Sequence, residues 1–270
     1  MTTSIDALTV DVEDWPQSTL DHSLPVTNRA VRSTMRMLDL FDEYGARGTF
    51  FVLGLVADRF PALVREIVAR GHELATHGYG HVEVFKLTPA EFETDIRRSL
   101  DVLQDAAGVE VVGYRAPDFS VVESSLWALP ILRDAGLRYD SSIYPIRGAR
   151  YGIPTAPRQP HEVVDGLVEL PLSTVRLGGR NWPVAGGGYF RLFPYAVTSA
   201  ALRRIHAEHG VGVVYLHPYE IDATELNEIG WPVPLKLQLT QGTSRGRVEA
   251  KLRRLLSELT FAPAREVLGL

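Results

Sequence analysis

Residues 72–81 read His72-Glu73-Leu74-Ala75-Thr76-His77-Gly78-Tyr79-Gly80-His81. The run predicts a short buried strand, and two histidines four residues apart follow its C-terminal end. Imidazoles at that spacing on one turn can grip a single ion. The spacing alone fits packed or surface histidines equally well, so the rest of the chain has to decide.

The same pattern, an apolar run followed at once by a polar residue, recurs on both sides. Upstream, residues 7–12 predict a strand that ends in Asp11, Glu13 and Asp14, and residues 48–54 predict a second. Downstream, residues 109–114 lead into Arg115, 137–140 end in Asp140, 167–171 form another run, and 211–216 lead into His217. Helical spacing covers 28–44, 60–69, 88–106, 124–134, 194–209 and 245–259. Thr88, Pro89 and Glu91 form a capping box at the third of these. Strands alternating with helices predict a parallel sheet. In a closed β/α barrel all strand ends share one face, whereas an open sheet gathers only the neighbours of a switch point. Polar residues after so many separate strands favour the barrel. Residues 146–166, 177–189 and 221–244 read as loop or irregular chain.

Composition narrows the chemistry. The chain has 270 residues, net charge −5, 45% apolar residues and no cysteine. One large α/β domain fits this length. Without a long basic run, nucleic acid is not an expected partner. Without cysteine, any metal takes imidazole and carboxylate ligands. No stretch reaches the roughly 20 apolar residues of a membrane span. Met1 to Asp6 lacks the basic start and apolar core of a secretion signal, so the cytoplasm is the expected compartment.

Three acids at one strand end, Asp11, Glu13 and Asp14, repel one another and call for a cation, a hydrogen-bond network or a shared proton. Two histidines and one carboxylate would leave a coordination position open, the pattern of a catalytic site, and a second carboxylate can deprotonate water. Arg115 at a strand end can hold a carboxylate in a bidentate fork. A protonated His217 can give its proton to a leaving amine. Tyr144, Trp182, Tyr189 and Phe190 are candidates to stack on sugar faces, and Gly186-Gly187-Gly188 permits close backbone approach.

Thr76-His77-x-x-x-His81, Arg115-x-Pro117, Asp140 to Pro145 and Leu216-His217-Pro218, after an acid-rich first strand, resemble the motifs of the polysaccharide deacetylases, the NodB-homology carbohydrate esterases. The resemblance extends over nearly the whole chain and is nearest to the branch found beside exosortase and exopolysaccharide gene clusters. It implies an irregular (β/α)7 barrel over residues 1–270, with 221–270 as a C-terminal extension packed on it. It implies removal of N-acetyl groups from amino sugars of a polysaccharide or its lipid-linked precursor, with one divalent metal, zinc being the first expectation. Asp11 would be the base, Arg115 its orienting partner and His217 the acid. The metal ligands would be His77, His81 and Asp14, preferred because the family uses aspartate, with Glu13 as the rival. A backbone N–H near Ser142 would help hold the oxyanion. The implied partners are an acetylated amino-sugar glycan and polysaccharide-assembly proteins. Two alternatives stay open: a small-molecule amide or imide hydrolase on the same barrel, and an inactive glycan-binding protein.

Overall fold

The computed structural model describes residues 4–148, 150–208 and 210–270. The predicted end of a helix at His209, and Met1 to Thr3, lie outside the described residues. The strands, in chain order, are β1 (Ile5–Val12), β2 (Thr49–Val52), β3 (Glu73–Thr76), β4 (Gly113–Tyr114), β5 (Tyr139–Asp140), β6 (His161–Val164), β7 (Leu167–Glu169), β8 (Thr174–Leu177), β9 (Arg180–Pro183), β10 (Val213–Leu216) and β11 (Thr260–Ala262). The main sheet has the order β10-β1-β2-β3-β4-β5-β7-β6. From β10 to β7 every neighbour is parallel, and β6 runs antiparallel beside β7. The sheet curls into an irregular β/α barrel. Between β7 and β10 the wall is completed by other bonds: Val213 N–H donates to Ser173 Oγ at 2.6 Å, and Gly186 bridges to Tyr215.

All the predicted parallel strands form. Register links Val10 to both Leu216 and Phe50, Phe50 to Leu74, Thr76 to Tyr114, and Asp140 to Glu169. The C-terminal ends of the strands therefore open on one rim.

Alternation along each strand separates two cores. Leu8, Val10 and Val12 of β1, with Phe50, Val52 and Leu74, meet the helices. Ala7, Phe51, Ala75, Tyr139, Val213 and Tyr215 fill the interior. Each such fully buried large side chain is worth about 1.5–3 kcal/mol over leaving it in water. Two helices on the outside start as their sequence prescribes. Thr27 caps Asn28–Glu43 by accepting from Arg29 N–H. Thr88 and Glu91 make the capping box of Pro89–Ala107.

Some expectations need revision. Only Gly113–Tyr114 of the run 109–114 pairs as a strand, and the helix expected from 124 begins at Ala128. The loop 146–166 contains β6, which folds back on β7. The stretch 177–189 contains the turn and second strand of the β8–β9 hairpin. That turn is Gly178-Gly179, both at positive φ (57° and 76°), the backbone that a tight hairpin turn demands.

Candidate active site

Alternation also decides which acids of the first strand enter the barrel. Ala7 and Thr9 point inward, and Asp11 and Glu13 continue that row. Asp14 falls on the opposite side. Its Oδ2 accepts from Thr27 N–H at 2.7 Å and its Oδ1 from Thr27 Oγ1–H at 2.8 Å, beside the start of Asn28–Glu43. Burial raises its pKa to about 6 against the lowering effect of those bonds. The preference for Asp14 as the carboxylate facing the histidines is therefore corrected: Glu13 holds that position.

Glu13, His77 and His81 each present one donor atom within 4.8 Å of the others, and all three are buried. Both Nε2 atoms lie 3.3 Å from Glu13 Oε1. His77 Nδ1–H donates to the Arg115 carbonyl at 2.8 Å, which leaves its Nε2 lone pair for an ion. His81 sits at φ 61°, in the left-handed region where a non-glycine residue is strained by about 1–3 kcal/mol. Its Nδ1 is buried without a partner. Burial pushes the Glu13 carboxyl up, but the His81 charge and the contacts with both imidazoles win and hold it well below the usual carboxylate range. Two imidazoles and one carboxylate in this geometry fit a divalent ion with an open coordination position.

Asp11 stands beside this group. Arg115, wholly buried, donates from Nη1 to Asp11 Oδ1 at 2.8 Å and to Thr9 Oγ1 at 2.8 Å. Its Nε donates to the Ser141 carbonyl and its Nη2 to Ser141 Oγ. The expected fork on one carboxylate is thus a single contact, because the other arms are spent on fixing the guanidinium. The Phe51 ring lies under it at 4.2 Å. Asp11 Oδ2 remains free, 3.9 Å from His217 Nε2.

His217 enters from β10 on the same inward row as Tyr215. Its ring stacks on Tyr219 at 4.8 Å, and Glu220 Oε2 lies 3.3 Å from its Nδ1. Burial would lower the His217 pKa. The Glu220 hydrogen bond, with the charges of Glu13, Glu220 and Asp11, overrides burial and lifts it to about 9. Glu220 has no role in the sequence reading. It follows His217 by three residues in a 3₁₀ turn, Pro218–Ile221, and that i, i+3 spacing is the signal that points to it.

A cavity of about 680 Å³ opens over these groups and includes Asp11, Glu13, His77, His81, His217 and Tyr189 in its lining. Of Ser142, Tyr144, Trp182 and Tyr189, expected to touch substrate, Tyr189 is the one that lines the cavity. The side chain of Ser142 is fully buried between Ala116 N–H, which donates to it at 2.7 Å, and Asp140, to which it donates. Tyr144 is buried and stacked on Tyr151 at 6.0 Å. Trp182 is exposed on β9, outside the cavity lining. The glycines at 186–188 allow a close approach to Tyr215: a Cβ at Gly186 would overlap that ring.

Residues 9–139 match the family model described as polysaccharide deacetylase. The first half of the chain is a polysaccharide deacetylase domain. Residues 141–269 match a domain of unknown function, DUF3473, yet β7 and β10 from that half share one sheet with the deacetylase strands. The chain resembles peptidoglycan-N-acetylglucosamine deacetylase of Bacillus cereus, 31% identical over 96 residues (35% of this chain, 35% of that one). It also resembles peptidoglycan deacetylase of Helicobacter pylori, 32% identical over 110 residues (40% and 36%). These matches span about a third of the curated relatives. Across the whole chain the fold is that of a candidate polysaccharide deacetylase from Mycobacterium smegmatis, with TM-score 0.66, 23% identity and coverage of 100% and 94%.

Proposed function

We propose that this protein hydrolyses N-acetyl groups on amino sugars of a glycan, releasing acetate, with one divalent metal ion, zinc in the first instance. The observation that carries the reading is the convergence of Glu13, His77 and His81 in the cavity that Asp11 and His217 also face. Glu13, His77 and His81 would hold such an ion, and it would supply Lewis-acid polarisation of the acyl group and of water.

The chain's own groups divide the proton transfers. Arg115 occupies Asp11 Oδ1, which aims the carboxylate and leaves Oδ2 to take the proton of the attacking water. As the water oxygen bonds to the acyl carbon and the C–N bond breaks, His217 Nε2–H protonates the departing amine. Glu220 accepts at His217 Nδ1, so Nε2 is the proton that faces the cavity. The products are acetate and a free amino sugar. Tyr189 at the cavity wall is a surface for a sugar ring.

The test is acetate release from N-acetylglucosamine oligomers by the zinc-loaded protein. Release that stops with a chelator and returns with zinc supports the reading. Zinc-loaded protein that frees no acetate from any acetylated amino-sugar glycan contradicts it.

A further inference from the structure

Arg191 is the least satisfied charge in the cavity wall. It ends the short helix Gly187–Leu192, its side chain is 4% exposed, and it belongs to the cavity lining. Of its donor groups, only Nη2 makes a hydrogen bond among the described residues, to the Thr240 carbonyl at 2.8 Å. Nε is buried with no partner. Its nearest carboxylate, Glu220 Oε1, stands 3.5 Å from Nη1, too far for a good charge-assisted bond. The other Glu220 oxygen is committed to His217. A buried guanidinium with most of its N–H groups idle is costly unless something else completes it.

The remaining acids of the cavity do not compete for it. Asp11 is held by Arg115 at 2.8 Å, Glu83 by Lys86 at 2.7 Å, and Asp118 by Arg150 at 3.0 Å. Glu13 is committed to the two imidazoles. Arg191 is therefore left with the one loose Glu220 contact among the acids of the wall. It is also rigidly placed. Lys251 Nζ donates to the carbonyls of Phe190, Arg191 and Phe193 at 3.2, 2.7 and 2.8 Å, which pins the end of that helix. A fixed, water-poor guanidinium facing a cavity matches a carboxylate or phosphate in two-point contact.

We propose that Arg191 recognises an anionic substituent, a carboxylate or phosphate, on the sugar next to the acetylated amino sugar, so that the substrate is an acidic glycan. This rests on the deacetylase reading of the same cavity. A carboxylate has two sources, the glycan itself and the acetate product, and inhibition by acetate separates them.

The experiment compares a hyaluronan tetrasaccharide, in which N-acetylglucosamine alternates with a uronic acid, with uncharged chitotetraose, using zinc-loaded protein. The expected kcat/KM ratio favours the acidic glycan by about tenfold or more, mainly through KM. Arg191→Gln should bring that ratio near one, Arg191→Lys should restore part of it, and acetate inhibition should be the same in all three proteins. A wild-type ratio near one, an equal proportional loss on both glycans, or an Arg191→Gln effect confined to acetate inhibition overturns the proposal. If neither glycan is turned over, calorimetry decides instead. Tighter binding of the acidic glycan that disappears in Arg191→Gln supports the subsite even without deacetylation, and equal binding of the two glycans overturns it.

Discussion

The two halves of the chain contribute different things to one cavity. The deacetylase half, residues 9–139, places Asp11, Glu13, His77 and Arg115 at strand ends, where parallel pairing fixes each backbone to its neighbours. The second half, residues 141–269, places His217 at the end of β10 but supports it with short turns: Glu220 from a 3₁₀ segment and Arg191 from a helix of 6 residues. On the proposed function, the first half supplies the groups that cleave the bond, and the second supplies proton delivery and the contact to the neighbouring sugar. Strand ends cannot move without breaking the sheet, whereas turns on a rim can vary at small cost to the fold.

The largest break in this comparison is expected in the first half. Asp11→Asn should lower kcat by roughly 10²–10⁴-fold, the usual worth of a general base, with bound metal unchanged. A variant with near wild-type turnover would remove Asp11 from its role. In the second half, Glu220→Gln should reduce kcat by about 10–100-fold, as loss of an orienting partner of a histidine does. The metal content should stay intact and KM should change less than kcat. An equal loss of metal and activity would instead make Glu220 part of the ion site.

The smallest effect concerns stability in the first half. His72 Nδ1 accepts from Gly48 N–H at 3.2 Å, which requires a neutral ring, and Phe41 and Phe50 pack against it. Burial lowers its pKa from 6.5 to about 4. The folded chain therefore binds fewer protons at this ring than the unfolded chain between those values. This contribution is complete above about pH 6.5 and is lost as pH falls toward 4, by up to about 3 kcal/mol. Urea unfolding at pH 7.5 and 4.5 checks it. His72→Asn, which keeps an acceptor for Gly48, should flatten the difference, and an unchanged slope would contradict the assignment.

Much of this was legible in the sequence, and the failures have identifiable causes. The parallel strands were readable because each is a short apolar run closed by a polar residue. The order Glu13 over Asp14 was readable too, since Asp11 and Glu13 share the strand's inward phase. The family preference for aspartate outweighed that period of 2. The β8–β9 hairpin carries its signal in Gly178-Gly179, hidden inside a glycine-rich stretch. Ser142, Tyr144 and Trp182 could not be placed from sequence. Whether a residue after a strand lines a cavity or packs beneath its wall depends on loops whose course has no periodicity. Arg191 was unreadable for the same reason, because its missing partners are visible only in three dimensions.

Glu13, His77 and His81 are expected to grip one divalent ion together. Zinc titration by calorimetry on the full chain, on Glu13→Gln and on Asp14→Asn is the direct measurement. One ion per chain in the wild type and in Asp14→Asn, with binding lost in Glu13→Gln, is the predicted result. Binding that survives in Glu13→Gln but fails in Asp14→Asn would contradict it.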